Sequence, residues 1–492
     1  MSTNTLYVSP TTGESWEIVV GLEVHAQLAT RTKLFCACAN DFGGEPNTRV
    51  CELCTGQPGA LPAPNANALR LAVRAALALE GQVAPWSKFD RKNYFYCDLP
   101  KGYQISQFDR PYCTGAVVEL ASGKRVGLER MHLEEDAGKA THDARHGTLV
   151  DLNRAGVPLV ESVSLPELSN GAEAAEFLAV MREHFRWVGA SDGDMEKGSM
   201  RADVNVSVRK PGEALRTKVE LKNLNSFRHV EDAVDFEVAR QVAAYEGGDP
   251  SAYPVQETRL WDPERAETRS MRSKEDAQDY RYFPEPDLPP LVVPAEMLAE
   301  ERERLPELPR ARRARWKEQH ALSDYELGVL SADRALADYF DATAAACDAR
   351  EASKWIQNEV LRALADPELP AARADELLLT PAALADVLTR LSAKAIPRKG
   401  AQKLVQRLLE AGGEVDALVR ELGLDQTVDD SELEAWCAAA LEGQDAIVAD
   451  VRAGKEKALG ALMGPVMKAS RGQADPQAVR AKLLELIQRE AP

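Results

Sequence analysis

The chain lacks any apolar run of the roughly 20 residues needed to span a bilayer, and its first ten residues lack the basic-then-apolar pattern of a secretory signal. A cytoplasmic location with no membrane association is therefore expected. No Walker-A loop and no dinucleotide glycine fingerprint precedes a helix, so a nucleotide site has to be of another kind. Tandem repeats and low-complexity tracts are missing as well. Positive charge is in deficit: 60 Lys and Arg against 78 Asp and Glu leave a net charge of −18. That excludes indiscriminate coating of nucleic acid, though not a local basic surface that meets RNA in one orientation. Cysteine is sparse, with 8 in 492 residues, and a cytosolic chain of this length is no disulfide scaffold.

What remains is a soluble globular composition, 45% apolar and 28% charged, in a chain long enough for two to four domains. Short β-rich runs recur at Ile18–Val20, Ala116–Leu120, Leu149–Leu152, Val204–Val208 and Lys218–Leu221, interrupted by helical patterns at Ala66–Glu80, Gly171–Val188 and Asp232–Tyr245. Residues 1–292 are thus expected to form one α+β domain. Pro284, Pro286, Pro289 and Pro290 close it, because prolines at that density fit neither a helix nor a central strand. Beyond them Ala, Leu, Glu and Arg dominate. Residues 293–396 are expected to be an all-α domain, and residues 397–492, after the break at Pro397, a smaller helical tail.

The chemistry starts at Gly21–His25, after the apolar run Ile18–Val20. Strand alternation puts Glu23 and His25 on one face, and rigid elements hold ligands better than loops. The run His132–Lys139 then offers Glu134, Glu135 and Asp136 beside Gly138 and Lys139. In Arg201–Val206, Asp203 and Asn205 share a face, and Glu220 shares one with Lys222. Carboxylates presented by several strands suit a hard cation such as Mg²⁺, which can neutralise a phosphoryl group in transfer. Each carboxylate taken alone reads more readily as part of a solvated strand face, and spacing does not establish that they converge.

Three further groups stand out. Cys36 and Cys38, then Cys51 and Cys54, form a four-thiolate arrangement suited to a closed tetrahedral Zn²⁺ site, with no acid or base inside the loop to give it a catalytic role. Lys88–Tyr96 and Lys101–Gln107 mix cations that can hold phosphate with aromatics that can stack on a base; a buried aromatic turn with a charged rim fits equally well. From Arg452 to Glu490, eight basic residues outnumber four acidic ones, a reversal in so acidic a chain and a candidate phosphate-facing surface.

These stretches carry a resemblance that spans the chain from about Trp16 onward. Val20–His25, Phe89–Tyr96, His132–Lys139, Asp151–Arg154, Glu220–Ser226 and Asp279–Pro286 are similar to motifs of the GatB family, the B subunits of tRNA-dependent aspartyl/glutamyl amidotransferases. Met467–Ala474 resembles the YqeY-type tRNA-contacting domain. The resemblance implies a glutamine synthetase/guanidino kinase-like catalytic domain, which also lacks a Walker-A loop, followed by a helical domain and a YqeY-like tail. It implies ATP-dependent phosphorylation of the side-chain carboxylate of Glu misloaded on tRNA(Gln), or Asp misloaded on tRNA(Asn). Ammonia released from glutamine by a glutaminase, the A subunit, in a complex that also holds a C subunit, then displaces the phosphate. Carried over by position, Glu23, His25, Glu135, Asp203 and Glu220 are the expected Mg²⁺ ligands, with Glu134 adjacent and catalytic. Lys92 and Lys139 are expected near phosphate. Some family members lack the four cysteines, so the implied zinc is structural.

Overall fold

The computed structural model describes residues 6–143, 145–273, 280–424, 430–453, 455–470 and 474–489. Of the motifs above, Asp279, Arg471, Gly472, Gln473 and Glu490 lie outside the described residues. The chain separates into two compact units, Met1–Pro309 and Arg310–Pro492.

The first unit is built on β1 (Ser15–Gln27), β2 (Asp90–Asn93), β3 (Tyr103–Ser106), β4 (Arg125–Glu135), β5 (Pro158–Ser164), β6 (Met200–Arg209), β7 (Val219–Lys222), β8 (Glu257–Asp262) and β9 (Glu267–Ser273). Seven of them run in the order β9-β8-β7-β6-β1-β5-β4 through one sheet. Every pairing along this path is antiparallel except β7 with β8. β1 therefore lies near the middle, longer at both ends than its apolar run Ile18–Val20 suggested.

Alternation along β1 separates two faces. Trp16, Ile18, Val20, Leu22, Val24 and Ala26 are all buried. They share a core with Phe177, Met181 and Phe185 of one helix and Val230 and Val234 of another. These helices are α2 (Gly171–Trp187) and α3 (Phe227–Glu246), which pack on each other; α1 (Ala66–Ala78) contributes Leu69, Ala72 and Ala76 to the same core. Each starts at a side-chain cap. Asn65 accepts from the Asn67 amide at 2.9 Å, Asn170 from Glu173 at 2.8 Å, and Ser226 from His229 at 3.1 Å. Burying each Val, Leu or Phe stabilises by about 1.5–3 kcal/mol, which fixes which face of β1 turns to the helices and leaves the other to polar side chains.

A small sheet frames the polar face. β2 pairs with β3 on one side and with Phe283–Pro284 on the other, an edge position that tolerates proline. Residues 293–309, assigned by composition to the second expected domain, pack on the first unit. Glu301, on the helix Ala295–Glu303, is fully buried and takes Arg70 at 3.0 Å and Arg74 at 2.7 Å.

The second unit is helical, with no strand among its described residues. Pro381–Ser392 packs on Arg334–Ala344 and on Arg398–Ala411. Asp430–Leu441, Leu459–Ala469 and Pro476–Arg489 enclose a core of their own, including Leu433, Cys437, Leu462, Val466 and Leu483. No described helix is long and apolar enough to cross a membrane. The fold is α+β, a sheet-rich N-terminal unit followed by a helical region.

Candidate active site

Strand register turns the polar face into rungs. Arg201 of β6 faces His25 of β1, His25 faces Glu161 of β5, and Glu161 faces His132 of β4. One rung along, Asp203 faces Glu23. Glu220 of β7 pairs with Asn205 and Thr258. Directly opposed residues have Cβ atoms about 4.5–5.5 Å apart, so these side chains meet.

The tightest group is two imidazoles and two carboxylates. His25 Nδ1 lies 3.5 Å from Glu134 and 3.8 Å from Glu161, and His132 Nε2 lies 3.3 Å and 3.2 Å from the same pair. Ser106 Oγ donates to Glu134 at 3.0 Å. Around it, Lys222 Nζ holds Asp203 at 2.6 Å and Glu220 at 3.2 Å, Thr258 donates to Glu220 at 2.7 Å, and Asn205 donates to Glu23 at 3.2 Å. Arg201 grips both oxygens of Asp136, at 2.8 and 2.9 Å. A cavity of about 420 Å³ opens over this floor, lined by His25, Glu134, Asp203, Lys222, Lys92 and Tyr280 among others.

Negative charge is crowded here. Burial, then Glu161, Asp203 and Glu220, push the Glu23 carboxyl above its usual range. Burial opposes charge on His132, yet Glu161 and Glu134 raise it to about 9. His25 rises against its burial through the Glu134 hydrogen bond and Glu161. Glu161 resists burial and falls to about 2 through His132. Lys92 is raised despite burial by Glu134 and Glu161. The donor set fits a hard divalent cation: His25, Glu134 and Glu161 bring one nitrogen and two carboxylate oxygens within 4.8 Å of one another.

Glu23, His25, Glu134, Asp203 and Glu220 thus share one face. Glu135 does not join them. It follows Glu134 on β4, so alternation turns it to the other side, where Lys101 pairs with it and the Ile105 amide donates at 2.9 Å. Lys139 is also elsewhere, exposed on the hairpin Lys139–Asp143/Gly147–Asp151. Lys92 does reach the cavity, its Nζ 4.7 Å from the Tyr280 ring centroid. Glu161 is absent from the sequence-derived set and His132 entered it only as part of a run. The period-two step from Glu134 back to His132 was a usable signal; for Glu161, only the pairing of β5 between β1 and β4 reveals it.

The four cysteines gather as expected. Sγ of Cys36, Cys38, Cys51 and Cys54 all lie within 4.8 Å of one another, unbridged, a set able to hold a tetrahedral metal ion. The hydrogen bond from Cys36 pulls Cys54 down to about 4, helped by Lys33, whose buried Nζ lies 3.3 Å from it. Gly56, at φ +69°, closes the loop where a Cβ would stand 2.9 Å from the Lys101 nitrogen, so only glycine fits.

Comparison with known proteins agrees with this architecture. Residues 18–299 match the family model described as the GatB/GatE catalytic domain, and residues 338–487 the one described as the GatB domain. The sheet unit with its carboxylate-lined face is thus a catalytic domain of the GatB/GatE class. Among similar proteins is one of Anaeromyxobacter dehalogenans, 47% identical over 480 residues, covering 95% of this chain and 98% of that protein. Others are from Caldicellulosiruptor saccharolyticus, 43% identical over 96% of this chain and 99% of that protein, and Alkalilimnicola ehrlichii, 46% identical with the same coverage. All three are named as B subunits of aspartyl/glutamyl-tRNA(Asn/Gln) amidotransferase. The chain belongs to that family of B subunits.

Proposed function

We propose that this chain activates the side-chain carboxylate of Glu misloaded on tRNA(Gln), or Asp misloaded on tRNA(Asn), with ATP, and lets ammonia replace the phosphate. The products are Gln-tRNA(Gln) and Asn-tRNA(Asn). A carboxylate is a poor acyl donor, and phosphorylation gives it a leaving group. The observation that carries this reading is the set of rungs, which gathers carboxylates from β1, β4, β5, β6 and β7 on one face beneath a cavity.

His25, Glu134 and Glu161 are the residues that would hold Mg²⁺, with Glu23, Asp203 and Glu220 beside them; bound there, the ion would neutralise phosphate charge. Lys92, over Tyr280 at the cavity wall, is placed to attract a phosphate of ATP. Arg201 and Gln27 fix Asp136, at 2.8 Å and 2.9 Å, and so hold the turn that follows Glu134. Lys222 bridges Asp203 and Glu220 and holds them in register.

The chain would work in the cytoplasm, in a heterotrimer whose other members are a glutaminase (the A subunit) and a C subunit. Its catalytic domain would be of glutamine synthetase/guanidino kinase-like fold, and residues 397–492 a YqeY-like tail contacting tRNA. The four cysteines would hold a structural Zn²⁺. The test is amidation of each misacylated tRNA by the reconstituted complex with ATP and glutamine. Product from neither, with the partner's glutaminase active, would overturn the assignment.

A further inference from the structure

A row of aromatic rings leads from the cavity to solvent and takes no part in the carboxylate activation proposed for this face. It starts with Tyr280, which lines the cavity and stands 6.1 Å from Tyr282. Tyr282 stacks on Phe108, ring centroids 4.2 Å apart and planes within 12°. Phe108 is the outer end, 57% exposed, although a large apolar ring gains nothing from standing in water. The backbone holds this row firmly. Asn93 of β2 donates its amide to the Tyr280 carbonyl at 3.0 Å and its side-chain NH₂ at 2.9 Å, and the Phe108 amide donates to Asp90 at 3.1 Å. Cations flank both ends. Lys92 sits over Tyr280 at 4.7 Å; two residues past Phe108, Arg110 lies 5.1 Å over Trp86, itself 44% exposed.

A stack of rings that ends in the open face of Phe108, with a cation near each end, matches what unpaired nucleic acid requires: a π-face on which a base can rest and positive charge for the phosphates beside it. A duplex is too wide for a cavity of about 420 Å³. We infer that Tyr280, Tyr282 and Phe108, with Arg110, form a stacking track that receives the single-stranded 3′ end of the tRNA and guides its terminal aminoacyl group to the carboxylate face. The inference rests on the proposed function and adds to it the path by which the RNA substrate enters and the ring on which its outermost base rests. The free face of Phe108 is the contact that can be removed without touching the floor of the site.

The experiment uses the assembled complex carrying Phe108→Ala or Phe108→Trp. Loss of one base–aromatic stack is worth about 1–3 kcal/mol, so F108A should raise KM for misacylated tRNA roughly 5- to 150-fold. Its kcat at saturating tRNA and its KM for ATP should stay within about twofold of the unaltered complex, since Phe108 touches neither the floor nor the phosphates. F108W, which keeps a π-face, should restore KM. In parallel, a tRNA with 2-aminopurine at the outermost unpaired base of its 3′ end should be quenched on binding to the unaltered complex and to F108W, and not on binding to F108A. An unchanged tRNA KM with undiminished quenching in F108A overturns the track. So does a rise in KM for ATP alone, which would assign the rings to the adenine of the nucleotide. Failure of the unaltered complex to amidate any misacylated tRNA sinks the proposed function instead, and the quenching still reads the track.

Discussion

Glu161 shows what one residue contributes when its neighbours fix its setting. It stands between His25 and His132 on adjacent strands, and with Glu134 it makes a buried cluster of four groups in which each imidazole faces both carboxylates. Glu161→Gln keeps shape and removes charge, so it should lower amidation at least about 10- to 100-fold, as loss of an outer or inner metal partner does. The partner's glutaminase is the control, and the rate should be measured at saturating ATP and tRNA. His25→Ala should do no less. Glu135→Gln makes the contrast. Its carboxylate faces Lys101 and the Ile105 amide, so that variant should lose stability while keeping most of its kcat; a loss equal to that of Glu161→Gln would return Glu135 to the site.

Elements depend on a few buried charges. Glu301, with no exposed side-chain surface, ties the helix Ala295–Glu303 to α1 through Arg70 and Arg74. Burial opposes its charge, but Arg74 and Arg70 outweigh it and hold the carboxyl below its usual range. A depressed folded-state value means that the stability it contributes is present above about pH 4.5 and is lost as pH falls below it. Glu301→Gln should therefore cost toward the low end of about 3–5 kcal/mol near neutrality, because both arginines keep some solvent, with the two unfolding curves converging in acid. Urea unfolding at pH 7 and pH 3.5 checks this; a constant difference would sink it. The cysteine loop has a matching test. Purified under reducing conditions, the protein should carry about one zinc per chain, and Cys51→Ser should lose it along with thermal stability of the first unit. Less than about half an equivalent counts against a four-thiolate site.

At the scale of the molecule, an acidic chain has to meet a polyanion. From Arg452 to Glu490 the chain carries eight basic residues against four acidic ones. Removing residues 397–492 should raise KM for tRNA by about 10-fold or more and flatten the dependence of affinity on salt, since fewer phosphates are neutralised. Some amidation should remain at high tRNA concentration, because the carboxylate face belongs wholly to the first unit. Complete loss, with that unit folded, would favour an RNA-binding scaffold over an enzyme.

Much of this was local and therefore readable from sequence. Alternation alone put Glu23 with His25, Asp203 with Asn205 and Glu220 with Lys222, because successive strand residues point to opposite faces whatever lies next to them. Four cysteines within a short span, helical periodicity and proline density are local in the same way, and they gave the thiol cluster and the shift from sheet to helix. Which of two adjacent carboxylates on β4 faces His25 was not local. It follows from the registers of β4 on β5 and of β5 on β1, and a slip of one residue would exchange Glu134 for Glu135. Glu161 has the same origin, a carboxylate in an apolar strand that acquires meaning only from the strands on either side. Sequence determined which faces were polar; the pairing of distant strands decided which polar faces became one site.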